Sequence, residues 1–315
     1  MSEITKNYLG IDIGGTKCAA SLGTSGGLIL DKLSFAAGKP EETIKKLIEA
    51  SSALIGKHRI SITATGISCG SPLDPEKGII QSPPNLPEWK NVPITEIFSA
   101  EFKVPAFLDN DANAGALAEF SFGAGRGFRN IVFITFGSGC GAGLILDGKI
   151  YRGTNCYAGE IGHLRLAENG PVGYRKAGSM EGFCSGGGLA QLAESERKNF
   201  KGKTSLPENA TAKDIAEAAF AGDKLALKIM NISADYLGRG LAVLIDVLNP
   251  QRIIIGSIFT RCEKLFRMEM EKVLKQECLE QTLSVCKIVP AGLGEKTGDY
   301  AALSIAHYSS DKAAS

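Results

Sequence analysis

The stretch Pro105-Ala106-Phe107-Leu108-Asp109-Asn110-Asp111-Ala112-Asn113-Ala114 decides how the chain is read. Val104 to Leu108 is short and apolar, as a buried strand is, and Ala112 to Phe120 is a helix-forming run rich in small residues. The polar cluster sits where strand gives way to helix. Strand ends in open α/β sheets gather side chains and helix N-termini, and ligands bind there. Asn110 and Asp111 are therefore placed to hold a hydroxyl-rich ligand. A carboxylate at such a point can take the proton of a hydroxyl during phosphoryl transfer. Asp and Asn are also the preferred helix N-caps, so a capping role alone accounts for the pair too.

Working outward, 315 residues favour two domains over one core. With 44% hydrophobic and 22% charged residues the composition is that of a soluble globular protein. Net charge is +1 with no basic run, which points away from nucleic-acid and anionic-membrane partners. Met1 to Asn7 is polar and lacks the apolar core of a signal peptide. The best apolar run, Leu241 to Leu248, is broken by Asp246 and is far short of the ~20 residues of a membrane span. The eight cysteines are scattered without a C-x-x-C pair, as free thiols in a reducing cytoplasm are.

N-terminal to the opening stretch, Tyr8 to Ile13 is an apolar run that includes Asp12, and Gly14-Gly15-Thr16-Lys17 follows. Cys18 to Leu22 and Leu28 to Leu33 resume apolar character, so the order is strand, tight turn, strand, strand. Glycines at such a turn let backbone N–H groups approach a phosphate, and Thr16 and Lys17 add a hydroxyl and a charge. Asp12 would lie beside the phosphates and could organise Mg²⁺ directly or through water. An ordinary glycine hairpin remains the alternative. Pro40 to Ile55 reads as an amphipathic helix and Ser61 to Ser68 as a strand ending at Cys69-Gly70. Four prolines across Pro83 to Pro93 predict an extended loop carrying Trp89, either toward a cleft or as a loop anchor.

On the other side, Ile131 to Phe136 is a strand followed by Gly137-Ser138-Gly139-Cys140-Gly141-Ala142-Gly143. Gly137 to Ala142 fits a dinucleotide fingerprint, but that motif must open a helix, and here a second strand follows. Gly143 to Lys149 fits a P-loop except that Ile150 replaces its Ser or Thr. What survives is a second glycine hairpin built like the first. In Gly159-Glu160-Ile161-Gly162-His163, one turn puts Glu160 and His163 on one side, as a hydroxyl-binding pair or as a structural histidine beside a carboxylate. A glycine-rich segment with Glu181 follows. Two helices (Thr211 to Ala221, Asp223 to Leu248), a strand (Arg252 to Ile255) ending at Gly256, a strand (Leu283 to Pro290) and a final helix (Thr297 to His307) complete the reading.

Taken in order, Asp-Ile-Gly-Gly-Thr-Lys, Asn-Asp-Ala-Asn, Thr-Phe-Gly-Ser-Gly-Cys-Gly-Ala-Gly, Gly-Glu-Ile-Gly-His and Ile-Ile-Ile-Gly-Ser resemble the ROK family of sugar kinases. The resemblance runs from about Tyr8 to Ala306, and Pro84 to Trp89 resembles the bacterial glucokinases of that family. It implies an actin-like, ribonuclease H-like α/β fold of two domains around a cleft, one of residues 1–110 plus 295–315 and the other of residues 111–294. It further implies that Asp12, Gly14, Gly15, Thr16 and Lys17 form one ATP phosphate loop and that Gly137, Ser138, Gly139 and Cys140 form the other. Gly256 would lie beside the adenosine. Asp111 matches the catalytic base, Asn110, Glu160, His163 and Glu181 match sugar-hydroxyl ligands, and Gly70 lies on the sugar-side loop. A cytoplasmic homodimer using ATP and Mg²⁺ on a hexose, glucose first, is the expectation. N-acetylhexosamine and fructose kinases of the family, and a catalytically silent sugar-binding protein, are the alternatives.

One departure concerns metal. Members of the family usually carry C-x-C-G-x-x-G-C before the last glutamate and bind zinc with it and the histidine. Here Gly170, Val172 and Ser179 replace the three cysteines, so no structural zinc is expected. With the first phosphate loop at Asp12, the N-terminal DNA-binding domain of the family's repressors is not expected.

Overall fold

Two sheets of one plan order the chain. The computed structural model describes residues 5–314; the start of the polar Met1 to Asn7 segment lies outside the described residues. The chain divides into two compact units, residues 1–126 with 295–315 and residues 127–294.

In the first unit the strands are β1 (Asn7–Ile13), β2 (Lys17–Thr24), β3 (Ile29–Ala36) and β4 (Ala64–Cys69), the short pair β5 (Leu73–Asp74) and β6 (Ile79–Ile80), and β7 (Ala106–Asn110). The main sheet runs β3-β2-β1-β4-β7. The first three strands are antiparallel, and β4 and β7 add parallel to β1. Helices α1 (Pro40–His58), α2 (Ile94–Phe102) and α3 (Asp111–Phe122) connect them. Helix α1 opens on Pro40, Glu41 and Glu42 and closes on Lys57 and His58, which suits the helix dipole at both ends. Its Leu47 and Leu54 enter the core with Leu9, Ile11, Ile67, Phe98 and Trp89. Trp89 is 1% exposed, so it anchors its loop.

The second unit repeats the plan. Strands β8 (Ile131–Phe136), β9 (Cys140–Leu146) and β10 (Lys149–Tyr151) form an antiparallel meander. A small hairpin, β11 (Val172–Gly173) with β12 (Lys176–Ala177), precedes the helices α4 (Met180–Phe183), α5 (Gly186–Asn199), α6 (Ala212–Phe220) and α7 (Lys224–Leu248). Strand β13 (Arg252–Ile255), helices α8 (Ile258–Glu277) and α9 (Glu280–Val285), and strand β14 (Lys287–Pro290) complete it. The sheet order is β10-β9-β8-β13-β14, with β13 and β14 parallel to β8. Both glycine turns thus join the first two strands of a meander. Among the described residues no helix is long and apolar enough to cross a membrane.

The last helix, α10 (Thr297–Ala314), returns to the first unit. There Phe122 at the end of α3 packs between Tyr300 and His307, with ring centroids 5.6 and 5.7 Å away. That packing carries the first unit to Arg126, past the boundary at residue 110 that the sequence reading placed. The segment read as one strand, Leu283 to Pro290, divides in two. Only Lys287–Pro290 has partners, on Arg252–Ile255. Upstream, Asp246 accepts hydrogen bonds from the Leu279 N–H and the Thr282 hydroxyl, and this starts α9 instead. Strand β7 lies two residues later than read, so Asp109 and Asn110 belong to it. Helix α8 escaped the reading, although Ile258, Cys262, Phe266, Met270 and Val273 bury one face at helical spacing.

Gly66, in the middle of β4, is where sheet and last helix touch backbone to backbone. A Cβ there would lie 2.0 Å from the Ala302 carbonyl oxygen and 2.6 Å from the Ala306 nitrogen. Gly66→Ala is therefore expected to destabilise the protein by about 3 kcal/mol, the upper end for overpacking. Gly56→Ala, inside α1 with open space around the added Cβ, should stabilise by ~0.5–1 kcal/mol. Urea denaturation of both variants checks this; a Gly66→Ala effect as small as that of an open site would mean that α10 does not dock there.

Candidate active site

The candidate residues fall into two groups, one in each unit. In the first, the register places them. Ile13 pairs with Cys69, and Cys69 with Asn110, so these three form one row across β1, β4 and β7. Gly14, Gly70 and Asp111 each stand one residue beyond that row, at the C-terminal ends of parallel strands, where ligands bind in such sheets.

Capping falls to only one of the two neighbours at the corner. The Asn113 N–H donates to the Asn110 Oδ1 at 2.8 Å, so Asn110 is the N-cap of α3. Its amide Nδ2 is the group left to meet a ligand hydroxyl. Asp111 is the first helical residue and is exposed as a residue, with its Oδ1 accepting from the Ala112 N–H at 2.9 Å. Desolvation by the surrounding protein raises the Asp111 carboxyl above its ordinary range, against the Ala112 N–H and its own N–H. Beneath, fully buried Asp109 accepts from the Asn110 N–H at 2.9 Å and from the Asn113 Nδ2 at 2.8 Å. Asp109 and Asn113 thus fix the strand-to-helix corner, a role the sequence reading did not assign them. The D-N-D-A-N spacing was the available signal.

The first glycine turn is tight. The Gly14 N–H donates to the Lys17 carbonyl at 3.1 Å, and a Cβ on Gly14 would come 2.8 Å from that oxygen. Gly15 abuts Asn85: an added Cβ would lie 2.6 Å from the Asn85 Cβ. The proline-rich loop held by buried Trp89 therefore braces the turn. Gly15, Thr16 and Lys17 are exposed. Burial pushes the Asp12 carboxyl up to about 6; Lys32 and Lys17 oppose the shift, and Asp111 and Asp299 add to it. A carboxylate in that position gains from any cation that joins it, so Asp12 fits a role in holding Mg²⁺.

In the second unit, Gly137 to Gly139 turn between β8 and β9, and Cys140 already belongs to β9. No helix follows, as the rejected fingerprint required. Gly137 lies against Ser257, which follows Gly256 at the end of β13, and its carbonyl accepts from the Gly186 N–H at 2.8 Å. These residues border a cavity of about 590 Å³ walled by Ala216 and Phe220 of α6 and Ile258 and Arg261 of α8. A nucleoside is of the size that such a cavity takes. Burial pushes the Cys140 thiol up to about 12, so the side chain stays protonated.

Glu160 precedes a 3₁₀ turn, Ile161–His163, whose threefold repeat brings Glu160 and His163 to one side. Tyr174 meets the His163 ring edge-on at 5.2 Å, and the Lys176 Nζ donates to the His163 carbonyl at 2.7 Å. Both come from the β11–β12 hairpin, whose turn residues Tyr174 and Arg175 have φ of 40° and 67°, as a two-residue hairpin requires. The segment from Gly170 to Glu181 offers no thiol or imidazole, and among the described residues no group of three or more His, Cys, Asp or Glu is placed to hold a metal ion. The donors do not fit a structural zinc. Packing holds the Glu181 segment instead. Met180 is fully buried and packs where α7 presents Gly240. Phe183 stacks on Tyr236 at 3.5 Å, and the Ser233 hydroxyl donates to the Phe183 carbonyl at 2.7 Å. Of the loop's own large side chains, Met180 is buried and Tyr174 covers His163.

The raised Asp12 carboxyl carries a prediction with a definite sign. A folded-state value above the unfolded one means that protonated Asp12 adds stability at low pH, which is lost as pH rises through about 6. Asp12→Asn removes the ionisation. Its melting temperature should match the wild type below about pH 4, exceed it increasingly from there to about pH 6, and keep a steady lead above about pH 7, while Mg²⁺-dependent nucleotide binding weakens. A pH series of melting curves decides it; a constant offset would place the titration elsewhere.

A ROK family profile matches residues 8–309. The glucokinase of Thermotoga maritima is 33% identical over 311 residues, 94% of this chain and 96% of that protein. The ROK hexokinase of Thermus thermophilus superposes with a TM-score of 0.84 at 28% identity, over 98% of this chain and 99% of its own. A ROK family glucokinase of Streptomyces griseus, solved with glucose and AMPPNP, gives a TM-score of 0.78 at 27% identity, over 96% and 99%. The fold is therefore the two-domain actin-like ATPase fold. With the match running through nearly the whole length and the motifs at both sets of strand ends, the chain belongs to the ROK family.

Proposed function

We propose that the protein is an ATP-dependent hexose kinase that phosphorylates glucose at its primary hydroxyl. The observation that carries this is the corner at Asn110 and Asp111. Asn110 caps the helix, which leaves the Asp111 carboxylate accessible and raised toward a working base. The likeness to glucokinases over nearly the full chain supports glucose among the hexoses.

In this reading Asp111 accepts the proton of the attacking hydroxyl at its carboxylate oxygen. A positioned base contributes ~10²–10⁴ in rate, or roughly 3–5 kcal/mol. The Asn110 Nδ2 donates to the sugar, Glu160 and Glu181 accept from it, and His163 is held for the same task by Tyr174 and Lys176. Gly70, beside Asp111 in register, leaves backbone open to the sugar. The turns Gly14 to Lys17 and Gly137 to Cys140 offer the phosphates the N–H groups at their tips, and the cavity next to Ser257 takes the nucleoside. Bound Mg²⁺, with Asp12 to hold it directly or through water, supplies neutralising charge on the phosphates. A homodimer in the cytoplasm completes the proposal, supported by the family and by eight unbridged cysteines.

ADP release with glucose, N-acetylglucosamine, N-acetylmannosamine, fructose, mannose and allose tests the reading. Glucose should give the highest kcat/KM; no turnover with any of the six, by protein that binds ATP, would remove it. Asp111→Asn should lower kcat by at least about 100-fold with KM nearly unchanged, and retention of more than about a tenth of kcat would reduce Asp111 to a helix-end residue. Chelation of zinc with Mg²⁺ in excess should leave activity intact, and near-stoichiometric zinc in the purified protein would contradict the loop's metal-free packing.

A further inference from the structure

Around Glu181 three separate backbone segments close in. The Cys140 N–H, from the second glycine turn, donates to the Glu181 Oε2 at 3.0 Å. A Cβ on Gly139 would stand 2.9 Å from the same oxygen. Cβ atoms on Gly162, from the Glu160–His163 turn, and on Gly173, from the β11–β12 hairpin, would stand 3.3 and 2.6 Å from the Glu181 Cβ. The Met180 N–H donates to the Leu164 carbonyl at 2.8 Å, which ties the base of α4 to the end of that 3₁₀ turn. Cys140 and Gly162 also touch directly, since a Cβ on Gly162 would come 2.2 Å from the Cys140 carbonyl oxygen. One carboxylate therefore spans the turn read as sugar-binding and the turn read as phosphate-binding.

We propose that Glu181 is a positioning residue for the nucleotide turn as well as a sugar ligand, and that it couples the two substrates through its two oxygens. This rests on the sugar-kinase reading. The Oε2 holds the Cys140 N–H and so sets the shape of Gly137 to Cys140 before any ligand arrives. A sugar hydroxyl donating to the Oε1 fixes the carboxylate rotamer and with it the turn. The nucleotide then meets an ordered turn and loses less conformational freedom on binding, which makes the coupling positive.

The test separates reach from charge. Glu181→Gln keeps an oxygen at the same distance; Glu181→Asp keeps the charge but stops one carbon short; Glu181→Ala removes both. AMPPNP affinity is measured without sugar, and hydrogen exchange is followed at the Cys140 amide. Loss of the hydrogen bond that shapes the turn implies that Asp and Ala, which cannot reach the Cys140 N–H, bind AMPPNP at least about tenfold more weakly, with Gln within about twofold of wild type. The Cys140 amide should stay protected in Gln and exchange faster in Asp. Adding glucose should tighten AMPPNP binding in the wild type and not in Asp. Wild-type AMPPNP affinity or unchanged Cys140 exchange in the Asp variant would overturn the inference, as would Gln and Asp weakening alike. Should the wild type phosphorylate no sugar while the sugar-free results hold, the kinase reading fails and the structural link stands. An active kinase with an indifferent Cys140 amide gives the reverse.

Discussion

The 2.8 Å hydrogen bond from the Asn113 N–H to the Asn110 Oδ1 is the constraint on which the candidate site depends. A helix beginning directly after a buried strand has orphan N–H groups, and some side chain must satisfy them. Had Asp111 done so, its carboxylate would be neutralised by backbone donors and held low. Because Asn110 caps, Asp111 moves one position into the helix and keeps an accessible carboxyl. Asp109 secures the arrangement from below by accepting from both asparagines. Three adjacent polar residues thus part ways: Asp109 supports, Asn110 caps, and Asp111 carries the base role proposed for it.

The repeated sheet plan then distributes the other groups. Each unit offers a meander with a glycine turn and two parallel strands with open C-terminal ends. In the first unit the ends carry Gly70 and Asp111; in the second, β13 ends at Gly256. Side-chain chemistry concentrates on the parallel edge of the first unit and on the Glu160, His163 and Glu181 segment of the second. The meander turns contribute mainly backbone N–H groups. This division suits a reaction in which a polyanion is held by the main chain and a neutral polyol by side chains.

Much of this was legible in the sequence because the informative residues are local. Asp-Ile-Gly-Gly-Thr-Lys and Gly-Ser-Gly-Cys-Gly are turns flanked by apolar strands, and a turn's chemistry is written in the turn itself. Glu160 and His163 are close because three residues make one turn. What the sequence hid was tertiary. That Asn85 braces Gly15, that Glu181 reaches the Cys140 N–H forty-one positions away, and that Phe122 draws α3 to the last helix all depend on packing between distant segments. The β13 partner of Lys287–Pro290 is only four residues long, and no local signal in Leu283 to Pro290 announced where pairing stops. The zinc motif's missing thiols were plain, whereas the Phe183–Tyr236 stack that holds the same loop requires α7 to be in place first.

The return of α10 to the first unit gives the two units unequal histories during synthesis. Residues 127–294 are contiguous, and their core of β8, β9, β13 and α7 is complete before the last helix is made. The first unit's strands precede those residues, but the contact that Gly66 of β4 makes with Ala302 and Ala306 forms only once α10 leaves the ribosome. Its five strands must wait, with one face uncovered, for the length of the entire second unit. The part made first is thus the part finished last. The exposed interval belongs to the half that carries Asp111, and an uncovered sheet face is the kind of surface prone to aggregate while it waits.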